Sequence, residues 1–199
     1  MKYLVPILII IIIILVGGLS FFFGKSGTFI KTQTPTPTPS SGVTSTPTAT
    51  PKPTRKVTGG GILSFPKYEL TIPDDWQNTR ESQGADDEKI ILTKGVYSIS
   101  ITQGGFGGAV CLYLGDADIE GPSARYDAYK ELSTRSGDEF RRSWTGEEMA
   151  SKGYGICHKS QYGWGAPTNY GHISFGTPTT KTREMLDEMD AILSSLKKI

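Results

Sequence analysis

Twenty consecutive residues, Leu4 to Phe23, carry no charge, and the stretch behind them is too rich in threonine and proline to pack, so a folded core must come from the rest of the chain. As a helix the apolar run rises about 30 Å, enough to cross a bilayer core. Pro6 stands in its first turn, where a missing N–H costs least. A secretory signal has a shorter apolar region, about 7 to 15 residues, before a small-residue cleavage site. This run instead leads into Gly24-Lys25-Ser26, and the sequence predicts an uncleaved transmembrane anchor over residues 1–24.

Lys2 competes with Lys25 and Lys31 across that anchor, so the positive-inside bias is nearly balanced. The short flank before the run, the composition of the stalk and the presence of two cysteines place the bulk of the chain outside the cytoplasm, in an oxidising compartment. Residues 25–61 form a Thr/Pro/Gly-rich linker. Between Lys31 and Thr58 there are ten threonines and six prolines, too little apolar surface to offset the entropy of ordering. In polyproline form this spacer reaches up to roughly 85 Å, and its Thr-Pro steps suit O-linked sugar. Gly59-Gly60-Gly61 reads as a flexible joint.

Charge is segregated. All 20 acidic residues lie from Glu69 onward, and residues 62–199 hold 15 of the 21 basic ones, so residues 1–61 carry +6 and residues 62–199 carry −5. An acidic domain without a cationic stripe argues against nucleic acid as a partner.

Residues 62–199 are long enough for one domain. Tyr68, Leu70 and Ile72 alternate with polar residues and predict a half-buried strand, ended by Pro73-Asp74-Asp75, with Trp76 folding back under the sheet. The segments Lys89–Thr93 and Val96–Gln103 flank Lys94-Gly95 as a hairpin, with Tyr97, Ile99 and Ile101 on one face. Further strands are expected at 109–114, 153–159 and 169–175. Two helices are expected. One starts at Gly121-Pro122-Ser123 and carries Tyr126, Tyr129 and Leu132 at three-residue spacing. The other sets Met185, Leu186, Met189, Ile192, Leu193 and Leu196 on one face, with Thr180 or Thr182 as cap and Lys197 and Lys198 at its negative end. Together these predict an α+β domain, a mainly antiparallel sheet packed by a C-terminal amphipathic helix.

The stretch from Tyr68 to Trp76, followed by a hairpin and closed by a helix ending Ile192-Leu193-Ser194-Ser195-Leu196-Lys197, resembles the PsbP-like group of α/β/α domains. That resemblance implies a PsbP-like sandwich and carries over no functional residue. Anchor, stalk and single small domain together also resemble uncharacterised bacterial surface proteins.

Cys111 and Cys157 are the only cysteines, and one structural disulfide is the reading they favour. Free thiols are a second reading. A metal site with His158 and His172 is a third, disfavoured because residues 157 and 158 point to opposite faces of a strand. No metal or cofactor is therefore assigned. Gly24-Lys25-Ser26 lacks the first glycine of a phosphate loop, since position 19 is Leu19. The glycines around Phe106 lack a dinucleotide fingerprint and read as a loop. No Gly-x-Ser-x-Gly elbow or His-Glu-x-x-His pair occurs. The pairs Asp74-Asp75, Asp86-Asp87 and Glu147-Glu148 read as solvated turns, so no catalytic residue is assigned.

Aromatic residues between 154 and 175 carry the functional expectation. Tyr162, Trp164 and Tyr170 lie among glycines, where rings poorly shielded by their neighbours suit stacking on sugars or a protein partner. The sequence thus predicts a membrane-anchored, non-catalytic binding or envelope-associated module, facing a cell-wall glycan or surface protein, with a small extracytoplasmic hydrolase as the alternative.

Overall fold

The computed structural model describes residues 52–199 apart from Gln83 and Phe106. The expected anchor at 4–23 and most of the stalk lie outside the described residues. Among the described residues no helix is long and apolar enough to cross a membrane.

Thirteen strands and one α-helix are described: β1 (Thr54–Gly60), β2 (Lys67–Pro73), β3 (Gln77–Glu81), β4 (Glu88–Lys94), β5 (Tyr97–Gln103), β6 (Ala109–Leu112), β7 (Ser123–Arg125), β8 (Ala128–Ser133), β9 (Glu139–Trp144), β10 (Tyr154–Ser160), β11 (Gly163–Ala166), β12 (His172–Gly176), α1 (Arg183–Ser194) and β13 (Lys197–Lys198). The domain is therefore mostly β with a single C-terminal helix, and this corrects the α+β, PsbP-like sandwich expected above. The expected helix after Gly121 is instead β7 and β8. Within β8 the polar residues at 129, 131 and 133 face outward while Leu132 is buried, a period of two. The spacing of Tyr126, Tyr129 and Leu132 arises from a strand end, a bend at Asp127 and the next strand, not from one helical face.

A second correction concerns the linker. Thr54–Gly60, assigned above to the spacer and its glycine joint, is a strand paired in antiparallel register with β2, Val57 opposite Leu70. Val57 is buried, and Gly59 is required because a Cβ there would crowd the Tyr68 hydroxyl and the Ile90 side chain. The hairpin turn is Gly95-Val96, one residue later than expected, since Lys94 pairs with Tyr97 and Gly95 takes the positive φ of 57°.

One sheet is β1-β2-β13; the other runs β3-β4-β5-β12-β10-β11-β6-β7, with β9 and then β8 added on the free side of β10. All pairs are antiparallel except β6 with β7. β10 is the branch point: β12 pairs with its first residues and β11 with its last, while β9 runs along the opposite edge.

Between the two sheets and α1 lies the main core. Tyr68, Leu70 and Ile72 of β2 meet Ile90, Leu92, Ile99 and Ile101 of the β4–β5 hairpin and Leu186, Met189, Ile192 and Leu193 of α1. Fully burying each such side chain stabilises by about 1.5–3 kcal/mol. Thr182 caps α1, its Oγ1 accepting from Met185 N at 3.3 Å. Lys197 and Lys198 lie beyond the helix, pairing with Glu69 and Tyr68 as β13. Trp76 is buried, and its indole N–H donates to Glu188 Oε1 at 2.6 Å.

Candidate functional site

Strand pairing alone sets the second face of the large sheet. Phe140, Arg142, Trp144, Tyr154 and Ile156 turn inward, so the alternate residues of β8 to β11 turn outward. In register these form rows across the strands. One row reads Tyr129, Ser143, Gly155; the next Glu131, Arg141, Cys157; the third brings Ser133 opposite Glu139 and Lys159 opposite Trp164.

The Cys111–Cys157 disulfide is formed, both residues buried, and this suits an oxidising environment. It ties β6 to β10 and is the centre of a second apolar cluster with Tyr113, Tyr126, Trp164 and Ala166. Gly155 allows that cluster to close, because a Cβ at 155 would overlap the Tyr126 ring. Tyr113 stacks edge-on against Tyr129 with centroids 4.8 Å apart, and its hydroxyl lies 2.9 Å from Ser143 Oγ. Burial pushes the Tyr113 hydroxyl above the usual tyrosine range, and burial does the same for Tyr126.

Arg141 organises the surface of this cluster. Its guanidinium carbon stands 3.7 Å from the Tyr129 ring centre, 4.0 Å from that of Trp164 and 4.7 Å from that of Tyr113. A cation over aromatic faces gains about 0.5–2 kcal/mol. Its Nη2 donates to Glu131 Oε1 at 2.9 Å. Alongside, Lys159 meets Glu139 at 2.6 Å. A cleft of about 330 Å³ opens here, walled by Glu131, Ser133, Glu139, Arg141, Lys159 and Trp164 over Leu132 and Phe140. A more open, more apolar hollow of about 430 Å³ lies beside β6 and β11, with Val110, Ile119, Pro122 and Pro167 in its wall.

The three aromatic residues singled out from the sequence part company. Trp164 is half-buried at the cleft. Tyr162, at the tip of the β10–β11 hairpin, is 88% exposed. Tyr170 is 1% exposed and is withdrawn as a ligand contact: it packs edge-on against Tyr68 and Phe140, and its hydroxyl donates to Asp138 at 2.6 Å. Burial, reinforced by Asp138, pushes that hydroxyl up to about 12. Arg141, Tyr129, Glu131 and Glu139 were missed in the sequence. The alternation Glu139-x-Arg141-x-Ser143 was the available signal, hidden by reading the neighbouring segment as helix.

Other candidates resolve into structural contacts. His158 Nδ1 lies 3.3 Å from the Gly165 carbonyl. Asp75 pairs with Lys94 at 2.7 Å, and Glu148 with Arg142 at 2.8 Å. Among the described residues no group of three or more His, Cys, Asp or Glu is placed to hold a metal ion. Comparison of the chain with protein-family models, curated proteins and solved structures yields no match.

Proposed function

We propose that this chain is a membrane-tethered, extracytoplasmic binding module that acts without catalysis and presents the outer face of its large sheet to a glycan or protein of the cell envelope. The observation that carries the reading is the stack of Tyr129, Arg141 and Trp164 beside an open polar cleft. Such a surface combines flat apolar area with fixed donors and acceptors, the composition of ligand-binding hot spots. Its preorganisation supports the same reading. The disulfide, the close packing of Tyr126 on Gly155 and the Arg141–Glu131 bond hold the side chains in place before a ligand arrives, which lowers the ordering cost of binding.

The uncharged run at 4–23 supports a tether and the Thr/Pro stretch a spacer, with the disulfide favouring the exterior. Retention of the full-length chain on isolated envelopes tests the assignment. Arg141→Ala, with melting behaviour otherwise close to wild type, abolishes retention if the outer face is the contact. Unchanged retention removes the outer face as the ligand surface.

A further inference from the structure

We infer that the cleft beside Trp164 takes an uncharged glycan laid across the strands; this rests on the reading of the outer face as the ligand surface. Charge parity comes first. The rim holds two carboxylates and two cations, joined as Arg141–Glu131 at 2.9 Å and Lys159–Glu139 at 2.6 Å. A rim neutralised in this way offers no net field to select a polyanion or a polycation. It offers instead donors and acceptors side by side, which match hydroxyl groups, since each hydroxyl both donates and accepts.

Shape and backbone pairing point the same way. Trp164, half-buried with Arg141 over its ring, lines the wall, and the part of the ring that stays exposed can meet the C–H groups of a sugar. The row from Ser133 through Glu139 and Lys159 to Trp164 crosses three strand intervals, about 14 Å at normal sheet spacing. That is room for a short oligosaccharide. A peptide entering by strand addition needs unpaired backbone. The cleft spans β8 to β11; β9 and β10 on its floor are bonded to a neighbour on both edges, and β8, whose only strand partner among the described residues is β9, puts its unpaired edge at the rim and not within the cleft.

Calorimetric titration of the full-length chain with soluble uncharged glucan and mannan oligosaccharides tests the inference, with polygalacturonate and chitosan oligosaccharides as charged counterparts. The expected result is binding of an uncharged oligosaccharide whose affinity is the same at about 50 mM and about 500 mM salt. Trp164→Ala weakens it about tenfold. Because Trp164 also packs on the disulfide cluster, Glu139→Ala with Lys159→Ala is the second variant; it keeps the charge balance, disturbs no buried side chain, and weakens binding by a similar factor. Binding confined to a charged glycan, screened by salt and lost in the same variants, overturns the uncharged class and leaves the outer face as the ligand surface. Glycan binding indifferent to both variants overturns the cleft and the outer-face reading together. No glycan binding, with envelope retention still lost in Arg141→Ala, overturns the glycan and assigns the face to a protein.

Discussion

Arg141 and Arg142 are neighbours in β9, and they face opposite ways. Arg142 is fully buried on the inner face, where its Nε donates to Asp190 at 2.7 Å and its Nη2 to Glu148 at 2.8 Å, with the guanidinium carbon 4.7 Å from the Tyr154 ring centre. Arg141 holds one well-exposed carboxylate, Glu131, and rests on the partly exposed rings of Tyr129 and Trp164 and the buried ring of Tyr113. The same side chain thus does two jobs. Inward, it bolts α1 to the sheet through a network that tolerates no loss of a partner. Outward, it fixes the shape of a surface that faces solvent. The difference follows from solvation: a buried charge needs close partners, which Asp190 and Glu148 supply to Arg142 while its Nη1 stays without a hydrogen bond, whereas a surface charge is screened and its pairing is worth little.

The largest expected effect is at the disulfide. The double replacement Cys111→Ala with Cys157→Ala opens a link between residues 46 apart in sequence and costs about 3–4 kcal/mol, read as a lower thermal midpoint. It also loosens Trp164 and Tyr113, so envelope retention falls with it; retention at wild-type strength would show that the outer face is held by the strands alone. Next comes the inner side. Arg142→Ala leaves buried Asp190 with Lys130 alone, at 2.9 Å, as its cation and lowers stability by about 3 kcal/mol in urea denaturation. A loss no larger than that of Arg141→Ala would break the contrast between the two faces.

Arg141→Ala costs only about 1 kcal/mol of stability, because Glu131 is well exposed and the aromatic contacts are partly wet. Its signature is lost retention without unfolding. Acid gives the smallest effect near neutrality. Burial alone raises the Glu148 carboxyl, but the hydrogen bonds and charges of Arg142 and Arg183 outweigh it and hold Glu148 below its ordinary value of 4.5. Glu188 behaves likewise: burial raises it, and Lys94, Trp76 and Lys52 bring it below 4.5. Carboxyls depressed on folding contribute stability that is complete above the unfolded value and is lost as pH falls through the folded one. Stability is therefore flat from about pH 7 to about pH 5.5 and declines below about pH 4.5. In Arg142→Ala the decline is shallower, which separates the inner network from other acid-sensitive groups.

Much of the inner architecture was legible by period. Alternation marked β2 and the β4–β5 hairpin, and the apolar stripe from Met185 to Leu193 marked α1, because each of these elements buries one face against a continuous core. The outer face escaped the same approach. Its residues are polar or aromatic at short range, and Tyr126 and Tyr129 imitate a helical spacing across a bend. Tyr170 failed as a ligand contact for a related reason: glycine neighbours leave a ring unshielded only in sequence, and here Tyr68 of β2 and Phe140 of β9 cover it.

By itself the sequence determined an uncharged run of membrane-spanning length, a threonine- and proline-rich stretch poor in core-forming side chains, two cysteines and the periodic strands and helix that surround the main core. Those are properties of local composition and period, which depend on neighbours along the chain. Only the tertiary structure decided that Thr54–Gly60 joins the sheet and that the segment after Gly121 is extended. It alone set Arg141 between Tyr129 and Trp164. Strand register made those decisions, and register depends on which distant residues pair, a choice settled by the packing of both sheet faces at once.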